Sequence, residues 1–312
     1  MGLYPKNANE LVALHGIPRG PHSQVYIVDP VNGNDDAPGV SFEQPLKTVA
    51  AAYAKCTADQ HDVVLMISGD TADNPTEAIA WSKDYTHLIG LSSDLAGVGQ
   101  RCRIVGTAGN DLTPVITFSG NGCIVRNVQI YNGKDADTDS GAVIVSGSRN
   151  HFKNVFFAGM AHATPAARAG SYSLKVTGAE NLFEDCAIGL DTIIRAAANT
   201  ELWISTGAER ITFRHCRFLS YSETAGKFLV KIDDMDRWVE FEDCLFQNFW
   251  SNWGGSLTNA MSVTENATHQ VILRGGNNQL VGVTGWADTV THVYVAAPQP
   301  NAGAGVSTNP TT

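Results

Sequence analysis

Three sets of residues in this 312-residue chain have the types and spacing that chemistry requires. Asp233, Asp234 and Asp236 lie within four positions, and paired carboxylates about 5 to 10 Å apart are what acid–base cleavage of a sugar chain needs. Asp135, Asp137 and Asp139 alternate in DADTDSG as the ligands of a calcium loop do. That loop departs from the EF-hand pattern, because Ser140 stands where the sharp-turn glycine belongs and Ser146 where the bidentate glutamate belongs. The third set is Asp185, His215 and Asp243, a histidine between two carboxylates at steps of 30 and 28 residues. If each step is one turn of a repeating coil, the imidazole comes within about 5 Å of both carboxylates, in range of a tuned acid or base.

Each set also has a reading without chemistry. The first two read as solvated acidic turns, the second a flexible one. The third belongs to a repeat: VRNVQI, FKNVFF, FEDCAI, FRHCRF and FEDCLF share one pattern, with their third positions at 127, 154, 185, 215 and 243. A second echo, in ITFSG, VIVSG, LKVTG, LWIST, VKIDD and MSVTE, runs half a repeat away and drifts with the first. Such a period marks stacked supersecondary units. Strict alternation in FEDCAI would place Asp185 on the same face as Phe183, burying a carboxylate, so the strand must turn at Asp185. A one-residue corner there needs a left-handed backbone, which Asn, Asp and His tolerate best among non-glycine residues. The column Asn127, Asn154, Asp185, His215 and Asp243 is therefore a structural corner ladder. The residue before each corner, Arg126, Lys153, Glu184, Arg214 or Glu242, faces outward, and from Lys153 onward the signs alternate so that neighbours can pair.

These features predict an all-β chain, a single-stranded right-handed parallel β-helix of about seven or eight rungs, roughly 30 to 40 Å tall at ~4.8 Å per strand spacing. The repeat resembles that of the pectate-lyase-like superfamily over roughly residues 24 to 290, whose rungs carry such a ladder between two of their three strands. The resemblance implies the fold without an activity. Family members that cleave pectate carry calcium-binding carboxylates and a basic residue along one outer face. The sequence has no matching set, so that activity is not carried over.

The expected organisation is an N-terminal arm over residues 1–23, a β-helix domain over 24–297 and an extended tail over 298–312. Within the arm, Asn9 to His15 can form one or two helical turns closed by Gly16. Downstream, Leu46, Val49, Ala50 and Tyr53 fall on one helical face, predicting a helix that covers the open end of the stack. The early coils read as VVLMI, HLIGL, CRIVG and ITFSG.

Composition narrows the function. The net charge is −10 with no run of Lys or Arg, which disfavours nucleic acid as a partner. Charged residues make up only 17% of the chain, below the usual quarter or so, which suits a surface buried in an assembly. The N-terminus lacks a signal-peptide pattern and no stretch reaches membrane-spanning length, so production in a host cytoplasm, with no membrane partner, is expected. Of six cysteines, Cys186, Cys216 and Cys244 share a slot that Val128 and Val155 fill in earlier coils, which marks small-apolar packing. No cofactor is expected. In FQNFWSNWGG the aromatics Phe249, Trp250 and Trp253, with Trp238 upstream, offer a subunit contact or a sugar-stacking surface.

Two functional classes follow. The first is a non-catalytic virion protein, a phage capsid decoration, cement or head-spike component on the particle exterior. It would self-associate, favouring a trimer, and contact other virion proteins through its terminal arms. Many phage exterior proteins use this fold, and that resemblance motivates the class. The second is a polysaccharide-degrading lyase or glycosidase, such as a tailspike depolymerase, with Asp233, Asp234 and Asp236 near Trp203 or Trp238, or a carbohydrate-binding module using the same aromatics. Either way each coil depends on its neighbours. Truncation inside the stack, for example after residue 189, is expected to abolish the cooperative thermal transition of the remaining coils, as followed by circular dichroism.

Overall fold

The register of the repeat becomes the register of the sheets. In the computed structural model, which describes residues 8–14, 16–92, 102–222, 224, 226–249, 257–264 and 269–295, the strands form three parallel sheets. Sheet A has ten strands, from Val25–Val28 to Val293–Val295; sheet B has seven, from Arg103–Gly106 to Gln279–Val281; sheet C has eight, from Ile79–Trp81 to Val283–Ala287. The chain passes from A to B to C and back, once per coil, making about seven turns of a parallel β-solenoid with very little helix. Among the described residues no helix is long and apolar enough to cross a membrane.

Inward positions align from coil to coil. In sheet A, Val125, Phe152, Phe183, Phe213 and Phe241 pair in sequence. Phe183 and Phe213 stack 4.6 Å apart with planes 11° from parallel, and Phe213 and Phe241 stack at 5.3 Å and 12°. Phe218 and Phe246 of sheet B stack at 4.7 Å and meet the first column edge-on. Leu174, Leu202, Val230 and Met261 of sheet C close the core.

The turn from A to B is uniform. Asn127, Asn154, Asp185, His215 and Asp243 have φ of 57°, 53°, 55°, 52° and 51°, the left-handed backbone that a one-residue corner requires. Asn127 and Asn154 are buried, and Nδ2 of Asn154 donates to Oδ1 of Asn127 at 2.8 Å. Cys102, Val128, Val155, Cys186, Cys216 and Cys244 follow as the next inward column, since each backbone carbonyl accepts from the first sheet-B residue one coil later. Cys102 thus joins the cysteine slot. Just before the corner, Lys153 pairs with Glu184 at 3.0 Å and Arg214 with Glu242 at 2.6 Å. A second corner, from C to A, uses left-handed Gly122, Arg149, Glu180, Arg210 and Arg237. Beside it stand the buried amides Asn150 and Asn181: Asn150 Oδ1 accepts the Cys123 N–H, and Asn181 Oδ1 accepts that of Asn150.

The turns from B to C carry the variation in length, over residues 133–142, 159–171, 190–199 and 222–227. One holds a short helix, Ala163–Ala166.

At the N-terminal end the helix Val49–Lys55 lies across the stack. Thr48 accepts the Ala51 N–H, and buried Asp73 accepts that of Val49 at 2.8 Å. Tyr53 stacks on Trp81 at 4.2 Å, and its hydroxyl accepts the backbone N–H groups of Ser82 and Lys83. The buried helix residues are Val49, Ala52 and Tyr53. Ala50 is exposed, contrary to the predicted face, because the helix begins only at Val49 and Leu46 lies outside its periodicity. The helical turn expected within the N-terminal arm forms. Helix Ala8–Leu14 ends before Gly16 at φ +64°, and Ala8, Val12 and Ile17 pack on the outer face of sheet A against Val25, Val63 and Leu65. Apolar residues on both surfaces explain the contact.

Phe213, fully buried between two stacked rings, tests the core. Phe213→Ala is expected to cost about 3–5 kcal/mol in urea unfolding, since neighbours fixed by strand pairing cannot collapse into the cavity.

Candidate functional site

The richest clustering of charged and aromatic side chains lies on the outer face of sheet C and the turns above it. Lys175, Trp203, Lys231 and Ser262 stand in register on consecutive strands. The Lys175 ammonium lies 3.8 Å from the centre of the Trp203 ring and that of Lys231 4.7 Å, one coil to either side, as cation–π contacts. The indole N–H donates to Asp233 Oδ2 at 2.9 Å, which also pairs with Lys231 at 2.8 Å. Asp233 Oδ1 accepts the Thr264 hydroxyl at 3.1 Å. A cavity of about 180 Å³ opens beside Trp203 and Lys231, walled by Ser171, Asn199, Thr200 and Phe228.

The other predicted acids do not converge there. Asp234, at φ +46°, accepts the Thr206 hydroxyl at 3.3 Å, and Asp236 lies in the exposed turn before strand Arg237–Glu242. Both oxygens of Asp233 are engaged within the chain. In the corner ladder, His215 Nδ1 lies 3.4 Å from Asp185 Oδ1, while Lys153 reaches the other Asp185 oxygen at 3.5 Å. Asp243 turns away from His215 and accepts the Asn277 N–H at 3.2 Å. The DADTDSG carboxylates separate: Asp135 accepts the Gly109 N–H, Asp137 faces Arg168 at 3.5 Å, and Asp139 lies against Gly170. No three His, Cys, Asp or Glu among the described residues form a metal-holding group.

The predicted aromatics are likewise divided. Trp238 is half-buried on sheet A, whereas Phe249 ends a sheet-B strand, 46% exposed and edge-on to Tyr221 at 5.4 Å. Trp250 and Trp253 lie outside the described residues. All six cysteines are buried and unbridged, and burial pushes the Cys102 thiol up to about 12.

Sequence reasoning missed a wholly buried ionic cluster beneath the B-to-C turns. Glu201 accepts from Arg195 Nε at 2.8 Å, Lys227 Nζ at 3.0 Å and the Ser173 hydroxyl at 2.6 Å. Arg195 also donates to the carbonyls of Met160 and Ile193, and Lys227 to Asn199, so one carboxylate fastens three successive turns. Burial alone would raise the Glu201 carboxyl, but Arg195 and Lys227 outweigh it and hold it down to about 2. Burial pushes Lys227 down to about 8 despite Glu201. Ser173 and Glu201 face each other on consecutive sheet-C strands, but Arg195 and Lys227 come from turns of unequal length, which leaves no repeating pattern for the two cations.

Solved structures share this architecture. Pectin methylesterase PemA from Erwinia chrysanthemi superposes with a TM-score of 0.58 at 16% identity, over 91% of both chains. A pectin methylesterase in complex with a hexasaccharide gives 0.57 at 17%, again over 91% of both. A rhamnogalacturonan lyase gives 0.58 at 12%, over 83% of this chain and 68% of its own. This chain has the parallel β-helix fold of these proteins. At these identities the likeness of the β-helix to those enzymes is one of fold. No protein-family model matches the sequence, and no curated protein matches it significantly.

The cluster makes a quantitative contrast. Glu201→Gln leaves two buried cations without their carboxylate and is expected to cost about 3–5 kcal/mol. Asp185→Asn, at an exposed pair, is expected to cost less than about 1 kcal/mol. Because the folded Glu201 pKa is depressed, its contribution is full above about 4.5 and is lost as pH falls toward about 2. Urea titrations of the wild type and both variants between pH 7 and pH 2.5 would reveal the difference.

Proposed function

We propose that this β-helix is a non-catalytic structural protein of a phage particle, a capsid decoration, cement or head-spike component on the particle exterior. It self-associates, with a trimer favoured, and its chain termini supply contacts to other virion proteins. The observation that carries the non-catalytic reading is the state of Asp233. A sugar-cleaving acid must exchange a proton with substrate beside a second carboxylate. Asp233 instead holds Trp203, Lys231 and Thr264 from successive coils, and Trp203 carries a lysine over its ring on either side. The Asp185 and His215 groups are turned to rung-to-rung pairing in the same way. The viral assignment rests on resemblance to phage exterior proteins of this fold, on the low charge and on the absence of a basic run.

The cavity beside Trp203 favours a second reading, a carbohydrate-binding or carbohydrate-cleaving β-helix. It combines an aromatic residue, a lysine and several hydroxyl groups within about 180 Å³.

Light scattering coupled to size exclusion is expected to give a mass three times that of the chain. Incubation with pectin, polygalacturonate and bacterial capsule is expected to release neither methanol nor new reducing or unsaturated ends. A monomer that turns over one of these polymers, with the activity lost in Asp233→Asn, would overturn the structural proposal in favour of the second reading.

A further inference from the structure

Two histidine pairs lie near opposite ends of the β-helix, and they differ in how their nitrogens are used. Toward the N-terminal end, His61 and His87 have ring centres 5.3 Å apart. His87 Nδ1 accepts the backbone N–H of Ile124 at 3.0 Å, and its Nε2 lies 3.0 Å from Nδ1 of His61. Since Nδ1 of His87 is an acceptor, the proton of the neutral ring sits on Nε2 and is donated to His61. Both nitrogens of that buried imidazole have partners.

Toward the C-terminal end, His269 begins the strand His269–Arg274, on the same face as the core residues Val271 and Leu273. It is 1% exposed, and neither Nδ1 nor Nε2 has a hydrogen-bond partner. The ring that faces it is His292, half-buried, with centres 5.2 Å apart and planes inclined at 60°. His292 belongs to the next coil, where its carbonyl accepts the Val271 N–H at 2.8 Å. Arg237, opposite His269 on the preceding coil, turns toward Glu209 at 3.8 Å and leaves the imidazoles to each other. A buried polar ring with both nitrogens unmet points to an ion or a water that completes it.

The ring separation suits an ion. An imidazole nitrogen binds zinc at roughly 2.0–2.1 Å, which puts each ring centre roughly 3.2 Å from the metal. Two such ligands at a tetrahedral angle then have centres roughly 5.2 Å apart. We propose that His269 and His292 form a two-ligand site for a divalent transition ion of the Zn2+, Ni2+ or Cu2+ class, which ties the last coils of the β-helix together. Imidazole donors suit these ions, whereas Mg2+ and Ca2+ require oxygen. Among the described residues no third His, Cys, Asp or Glu joins the pair, so water or a donor from a second molecule fills the remaining positions.

The test uses untagged full-length protein treated with EDTA and dialysed. Calorimetric titration with ZnCl2 is expected to show one ion per chain, with a raised unfolding temperature that MgCl2 does not produce. Copper titrated in its place is expected to give an electron paramagnetic resonance spectrum with hyperfine coupling from two imidazole nitrogens. His292→Ala removes the half-buried ligand and is expected to weaken zinc binding on the order of tenfold or more, while exposed His22→Ala leaves it unchanged. Absence of zinc uptake, uptake indifferent to His292→Ala, or a copper spectrum with fewer than two imidazole nitrogens would each overturn the site. The copper measurement on wild-type protein decides the matter even where a variant fails to fold.

Discussion

Every part of this molecule depends on parallel strands of successive coils pairing in register, so that each side chain meets its counterpart about 4.8 Å away. A position can hold only residue types that tolerate such stacking. Flat rings do, and the phenylalanines of sheets A and B run nearly parallel through several coils. Amides do, because one end donates where the other accepts, as between Asn154 and Asn127. Charges do so when their sign changes, as in the pairs of Lys153 with Glu184 and Arg214 with Glu242. The same rule draws the candidate acids into contacts along the stack.

How legible each feature is in the sequence follows from whether stacking repeats it. The corner ladder was readable because five coils return to Asn, Asp or His at nearly constant steps, and a buried carboxylate inside FEDCAI could be resolved only by a bend. The amides Asn150 and Asn181 recur too, but in a turn where they break no apolar pattern. Cys102 escaped the cysteine slot because the coil before it is irregular and its strand lacks the flanking motif. Ala50 was misplaced by extending helical phase back through Leu46, a residue that precedes the helix.

The candidate site divides along the same line. Lys175, Trp203 and Lys231 occupy equivalent positions on consecutive coils, so their proximity was implicit in the second echo. The cluster around Glu201 was so only in part, since Ser173 and Glu201 are opposite each other on consecutive strands whereas Arg195 and Lys227 approach from turns of differing length. Two buried cations around one carboxylate are a demanding way to stabilise a turn, because each charge gives up its hydration. In exchange the geometry is specific: fixed donors from three coils must arrive together.

Length is distributed unevenly among the three turns of a coil. In the five coils of the ladder, from Asn127 to Asp243, the A-to-B corner is held at two residues, as at 185 and 186, whereas the B-to-C connections range from 222–227 to 159–171 without disturbing the register on either side. The flank is therefore modular: it accepts foreign loops while the scaffold beneath stays unchanged. Grafted peptides or short domains carried there in parallel would project from one side of a rigid column, spaced by the height of a single coil.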